Sequence, residues 1–257
     1  MEILIISIAA FIVAILTFFS GFGLGTILTP VFMLFFPVEL AIALTGVVHF
    51  FNNVFKLFLV GRNANKEVVL KFGLPAIIAA VFGSWVLLNI TDLPVLFSYE
   101  AFGKTIDVYP VKFIISLLLL WFALMDLLPY FNRWQFGKDK LPLGGVLSGF
   151  FGGLSGNQGA LRSAFLIKAG LSKEAFIGNA VVVSTMVDFT RLGVYATRFT
   201  RTGLEDNLTL VVCATLAGIA GAYFGNKLLK KVTLRCIQIT VAVLLILMAL
   251  ALGAGVI

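Results

Sequence analysis

Long apolar runs recur along almost the whole chain and constrain its fold more than any other feature. They occupy residues 3–20, 24–36, 38–60, 68–90, 108–129, 142–155, 158–170, 172–198, 205–229 and 233–256. An α-helix needs about 20 apolar residues to cross a bilayer, so the longer runs predict full spans. Three runs, 24–36, 142–155 and 158–170, are short and adjoin glycine-rich breaks, which predicts half-helices or tilted, broken spans. We therefore predict an all-α, polytopic membrane protein with about eight transmembrane spans, or up to ten membrane elements with the short half-helices counted.

Composition supports this class. Apolar residues make up 60% of the chain and charged residues only 12%, whereas soluble domains carry about 25% charge. The net charge of +7 does not indicate nucleic-acid binding, because the basic residues lie in short loops between apolar runs. The chain has no HExxH or GxSxG motif and only one histidine, so we expect no enzyme activity, no metal site and no cofactor.

Lysine and arginine in the linkers predict the topology. Cytoplasmic loops carry an excess of these residues. Linkers 61–71, 130–141 and 226–235 are basic and should lie inside, whereas linker 91–107 is acidic and should lie outside. The C-terminus is then expected outside.

Two glycine motifs indicate an internal repeat. Ser20-Gly-Phe-Gly-Leu-Gly in the first half matches Ser148-Gly-Phe-Phe-Gly-Gly in the second, and a short helix and a long span follow each motif. We predict repeats over residues 1–130 and 131–257. The loop charges place corresponding loops on opposite sides and favour an inverted repeat, a common plan of secondary transporters. If each glycine-broken pair is a single crossing, the repeat is parallel instead.

The glycine breaks are the first candidate binding region. Exposed backbone in a membrane must face protein or a water-filled cavity, and a helix that starts after a break attracts anions at its N-terminus. The candidate substrate-binding residues here are Gly21, Gly25, Gly156, Asn157, Gln158, Gly159 and Arg162. Alternatives remain: the glycines can serve close helix packing, and Arg162 can extend to the membrane surface.

A polar stripe runs along span 38–60 and forms the second candidate region. His49, Asn52, Asn53 and Lys56 share one face by their i, i+3, i+4, i+7 spacing. We interpret His49, Asn53 and Thr45 as substrate-binding residues and Lys56 as a gating or coupling residue. His49 could carry a proton, or it could be a structural histidine bonded to a neighbouring helix.

The matching span 172–198 carries a corresponding polar stretch. Asn179 falls on the register of Thr45 and is a further substrate-binding candidate. Asp188 and Arg191 are three residues apart and can pair within the helix. The pair is either a gating or coupling device or a static ion pair.

At the two glycine motifs and the spans after them, the chain resembles the TauE/SafE family of sulfite and organosulfonate exporters. The residues that carry the resemblance are SGFGLGTILTPVFMLFFPVELAIALTGVVHFFNNVFKLF and GFFGGLSGNQGALRSAFLIKAGLSKEAFIGNAVVVST. The resemblance implies a multi-pass transporter of small sulfur-containing anions in the cytoplasmic membrane of a prokaryote. It also implies that Gly21, Gly25, Gly156, Asn157 and Gly159 fall in the substrate region.

The sequence therefore predicts a secondary transporter that exports a small anion, driven by a proton gradient or the membrane potential. The expected partners are the lipid bilayer, the anion and protons as coupling ion, with no nucleic acid; the oligomeric state stays open, a homodimer included. Alternative functions are a passive anion channel, a sensing or structural membrane subunit, and an intramembrane enzyme that uses His49 with Asp188 or Lys56.

Overall fold

A computed structural model describes residues 1–18, 24–101, 103–128, 130–131, 136–167, 169–197, 205–228 and 234–256. Helices dominate these residues. We number them α1 Glu2–Thr17, α2 Leu24–Met33, α3 Val38–Val60, α4 Lys66–Ile90, α5 Pro110–Leu127, α6 Leu141–Ser155, α7 Gly159–Leu166, α8 Lys173–Ala196, α9 Leu208–Leu228 and α10 Leu234–Gly253. Within α4, Val69–Gly73 forms a π-helical turn. These bounds follow the predicted apolar runs closely, because hydrophobic length decides where a membrane helix begins and ends.

Four of these helices, α3, α4, α8 and α9, are long and apolar enough to cross a membrane, and several shorter helices are also apolar. Large apolar side chains cover the outer surface: Phe58 is 84% exposed and Phe189 is 71% exposed. Such a surface requires lipid contact rather than water. The chain is thus a helical integral membrane protein, as its composition predicts.

Two parallel helix pairs form the flanks of the molecule. In α6, three glycines at four-residue spacing lie directly against the backbone of α4. They are Gly145, Gly149 and Gly153, which face Phe72, Ala76 and Ala80, respectively. In the second pair, Gly221 and Gly225 of α9 face Phe11 and Ile15 of α1. In both pairs the absent side chain lets two helix backbones touch, which is the usual way for membrane helices to pack tightly.

Two antiparallel helix pairs complete the bundle. The start of α8 lies beside the end of α3, where Gly178 faces Val60 and Ala64, and further along Gly46 of α3 faces Arg191 of α8. Similarly, Gly253 at the end of α10 lies beside Ser116 near the start of α5. The α3–α8 pair brings both predicted polar stretches to the middle of the molecule.

The linker 91–107 contains regular structure that the apolar runs do not predict. Phe97–Ala101 forms strand β1 and Lys104–Val108 forms strand β2, an antiparallel hairpin. The Tyr99 hydroxyl donates a hydrogen bond of 2.5 Å to the carbonyl of Ala254 after α10. This hydrogen bond connects the hairpin between α4 and α5 to the segment that follows α10.

Substitution of Gly149 by alanine should destabilise the protein, because a Cβ atom there would overlap the Ala76 backbone. We expect a loss of about 1–3 kcal/mol, as for other overpacked cores. The matched control is Gly193→Ala, since nothing lies within 4 Å of a Cβ atom at that helical glycine. Thermal unfolding in detergent measures both; equal melting temperatures for the two variants would contradict this packing.

Candidate functional site

The carboxylate of Asp188 on α8 joins the polar residues of two helices at the centre of the bundle. His49 Nδ1 lies 2.6 Å from Asp188 Oδ2, and Asn53 Nδ2 donates to the same oxygen at 3.1 Å. Arg191 Nε donates to Asp188 Oδ1 at 3.0 Å, and its Nη2 lies 2.9 Å from that oxygen. These side chains are all at most 4% exposed. The predicted contact between Asp188 and Arg191 is therefore present. The Asp188 carboxylate also contacts His49 and Asn53 of α3.

Helix periodicity explains why these groups meet. On α3, His49, Asn53 and Lys56 follow i, i+4, i+7 spacing and lie on one face. On α8, Ser184, Asp188 and Arg191 repeat the same spacing. Because α3 and α8 pack antiparallel, the two polar faces meet along the helix pair and avoid the lipid.

A cavity opens beside this cluster, toward the end of α3 that carries Lys56. It comprises about 340 Å³ of space between atoms, its opening included. Its lining residues are Thr17, Phe18, His49, Asn53, Lys56, Arg162, Ile177, Ala180, Val181 and Ser184.

The charge of this cavity is positive. Lys56 Nζ lies 5.3 Å from the centroid of the Phe18 ring, and Arg162 Nη1 donates to Ser184 Oγ at 2.5 Å. Of the acidic side chains that the structure describes, only Asp188 is buried, and its oxygens already bind Arg191, His49 and Asn53. Two buried cations thus line one cavity. Both would attract a small anion that entered it.

Gly25 of α2 and Gly156 after α6 bring parts of the two glycine motifs together. A Cβ atom at Gly25 would lie 3.6 Å from the Gly156 carbonyl oxygen and 3.7 Å from the His49 ring. Gly156 has a φ of +76°, a left-handed conformation that disfavours other residues. The break after α6 therefore reaches the same central region as the His49–Asp188 contact.

Several buried amides and hydroxyls of the bundle have no hydrogen-bond partner among the described residues. They include both side-chain amide atoms of Asn52, Asn157 and Gln158, the hydroxyl oxygens of Thr29 and Thr45, and Oδ1 of Asn179. Native proteins satisfy nearly all buried polar groups, by protein, water or a ligand. Unpaired donors and acceptors of this kind suit a protein that polar species enter.

The predicted site residues divide into three sets. His49, Asn53, Lys56 and Arg162 line the cavity. Gly25, Gly156, Asp188 and Arg191 lie at the adjoining centre. Thr45, Asn157, Gln158, Gly159 and Asn179 are buried but do not line the cavity, and Gly21 lies outside the described residues. Whether these residues bind solute stays a prediction.

Sequence reasoning missed the apolar wall of the cavity. Phe18, Ile177, Ala180 and Val181 line it, but apolar residues in a membrane span carry no signal of their own. Thr17 lines it too, although its hydroxyl donates to the Val13 carbonyl at 2.8 Å, within its own helix. Among the residues described, no cluster of three or more His, Cys, Asp and Glu could hold a metal ion.

Removal of the Asp188 charge should strongly destabilise the protein. Asp188→Asn leaves the buried Arg191 without a counter-charge, and loss of one partner of a buried pair costs about 3–5 kcal/mol. The control is Asp139→Asn, since Asp139 is 72% exposed and 3.6 Å from Lys140; an exposed pair contributes about 0–1 kcal/mol. Thermal unfolding of both variants in detergent tests this. Similar melting temperatures would show that Asp188 does not hold the centre together.

Comparison with known proteins identifies the family. Residues 6–252 match the family described as sulfite exporter TauE/SafE. The chain therefore belongs to the TauE/SafE family, as its motifs suggest. It matches none of the curated proteins and none of the solved structures with which it was compared.

Proposed function

We propose that this member of the TauE/SafE family is a secondary transporter that exports a small sulfur-containing anion, such as sulfite or an organosulfonate, by alternating access. Its membrane would be the cytoplasmic membrane of a prokaryote. The observation that carries the proposal is the buried cavity that Lys56, Arg162 and Asn53 line together.

The cavity chemistry suits an oxyanion. Arg162 offers a planar guanidinium that can bind two oxygens at once, and Lys56 offers a mobile point charge. Asn53 lines the same space and adds an amide. Together these groups can replace the hydration shell of a sulfite or sulfonate group. The apolar wall of Phe18, Ile177 and Val181 can accept the organic part of a sulfonate.

Alternating access is supported by the directions of the helices. If residues 1–130 and 131–257 are equivalent, α3 corresponds to α8 and α5 corresponds to α10. Both pairs run antiparallel. A two-fold axis in the membrane plane reverses the direction of a helix and so produces antiparallel equivalents, whereas an axis along the membrane normal keeps equivalent helices parallel. An inverted repeat lets the two halves exchange conformations, so that a site opens on either side in turn.

Arg162→Gln should lower sulfite flux into proteoliposomes by about tenfold or more, because a hydrogen-bonded charge contributes about 1.5–3 kcal/mol. Arg62→Gln is the matched control, since Arg62 is an exposed arginine outside the cavity, and it should transport as the wild type does. Flux of radiolabelled sulfite and competition by other anions are the measurements. If Arg162→Gln keeps both the rate and the anion selectivity, the site assignment is wrong.

His49 is the candidate coupling residue. It lines the cavity, contacts Asp188 and has Lys56 and Arg191 as its other charged neighbours. A proton on imidazole would strengthen the contact with Asp188, and its loss would weaken that contact. An imidazole can bind and release a proton, so His49 can link proton movement to anion movement.

The wild type should show saturable exchange of sulfite against internal sulfite, which a passive channel does not show. His49→Gln should keep this exchange but lose the net flux driven by a pH gradient, because glutamine cannot carry a proton. Counterflow without a gradient and uptake with a gradient, in the same proteoliposomes, separate the two steps. Flux in the wild type that neither saturates nor responds to internal sulfite would favour the channel, and gradient-driven flux in His49→Gln would exclude His49 as the coupling residue.

A further inference from the structure

A second group of buried polar side chains lies around Arg191 of α8, on the opposite side of Asp188 from the cavity. A Cβ atom at Gly156 would lie 2.9 Å from Arg191 Nη1 and 3.7 Å from Thr29 Oγ1. These two atoms, on α8 and α2, therefore converge on the break after α6. Asn157 follows Gly156 directly in the chain. All three side chains are deeply buried: Arg191 and Thr29 are 0% exposed and Asn157 is 2% exposed.

Much of the hydrogen-bonding capacity of this group is unused. Thr29 Oγ1 and both amide atoms of Asn157 have no partner within the part of the chain that the structure describes. The Arg191 guanidinium bonds Asp188 through Nε, so Nη1 points to a different neighbour. Tyr195 lies beside Arg191 and shares a hydrogen bond with its side chain, and the Tyr195 hydroxyl donates to the Gly153 carbonyl. A buried guanidinium nitrogen, a hydroxyl and an amide together form a suitable set of donors for an oxyanion.

The second group also matches the cavity under exchange of the two halves. In the cavity, Lys56 comes from α3 and Arg162 from α7; in the second group, Arg191 comes from α8 and Thr29 from α2. A shift of 134 residues places Gly46 on Ala180. Ala180 lines the cavity, and a Cβ atom at Gly46 would lie 3.3 Å from the Arg191 guanidinium carbon. Each group thus combines a long helix of one half with a short helix of the other half, and exchange of the halves interchanges the two groups.

We infer that Arg191, Thr29 and Asn157 form a second oxyanion-binding position, which the transported anion occupies after it leaves the cavity of Lys56 and Arg162. The inference rests on the proposed function and deepens it. The anion passes from one pair of helices to the equivalent pair, and Arg191 binds it through the nitrogen that Asp188 does not use. The substrate class is the same for both positions: a small anion with sulfur-bound oxygens.

The test compares binding with transport in Thr29 variants. Thr29→Val removes the hydroxyl and keeps the shape, whereas Thr29→Ser keeps the hydroxyl. Thr215→Val is the matched control, because the Thr215 hydroxyl is also buried without a partner among the described residues and lies on α9, away from Gly156. Methanesulfonate binding to the detergent-purified protein is measured by calorimetry, and sulfite counterflow is measured in proteoliposomes.

We expect Thr29→Val to bind methanesulfonate within about twofold of the wild type, because the cavity is intact, and to lose about tenfold in counterflow, as for a lost hydrogen bond to a charged group. Thr29→Ser and Thr215→Val should transport normally. Asn157→Leu provides a second variant with the same expected pattern if Thr29→Val does not fold. Two results would each overturn the second position alone. One is wild-type counterflow in both Thr29→Val and Asn157→Leu, and the other is an equal loss of counterflow in Thr29→Ser and Thr29→Val. A wild type that binds no methanesulfonate or sulfite overturns the proposed function as well.

Discussion

The buried carboxylate of Asp188 is the constraint on which the centre of this protein depends. A lone carboxylate in a membrane interior is very costly, and it becomes acceptable only with close partners of opposite charge. Asp188 has such partners on both central helices: Arg191 on α8 and His49 with Asn53 on α3. The contact therefore fixes the register of α3 against α8. Lys56 and Arg162 line the cavity beside this contact.

The glycine-mediated pairs explain how the breaks are held at that centre. The break after α6 follows the helix that packs on α4, so a helix of the first half supports a break of the second half. In the first half, α1 precedes the first glycine motif and packs on α9, a helix of the second half. The two helices that precede the glycine motif and the glycine break are thus each anchored on the other half of the chain. Backbone-to-backbone contact at Gly149 or Gly221 leaves little freedom to shift, whereas the α3–α8 contact depends on side chains that can exchange partners.

Much of the fold could be predicted from the sequence, because bilayer thickness imposes helix length. The apolar runs predict the helices, and the glycine motifs predict the broken segments. The hairpin at 97–108 was missed because two five-residue strands give little signal beside runs of apolar residues. For the site, helix spacing predicts the polar faces of α3 and α8 and the Asp188–Arg191 pair. It does not predict the His49–Asp188 contact between helices, nor the approach of Thr29 to Gly156, because the distance between helices depends on packing that no local pattern encodes.

The two groups differ in one respect that bears on transport. Lys56 and Arg162 line the cavity, whereas Arg191 in the second group is directly bonded to Asp188. An anion that reaches Arg191 therefore competes with Asp188 for the same guanidinium and weakens the Asp188–Arg191 ion pair. The Asp188 carboxylate then requires another positive partner. His49 is in contact with that carboxylate, so a proton on its imidazole would compensate the loss. Binding of the proton and binding of the anion would then be linked through the Asp188 carboxylate, without direct contact between proton and anion. Such a change in the binding free energy of one solute by the other is the thermodynamic requirement for coupling two solutes in one carrier.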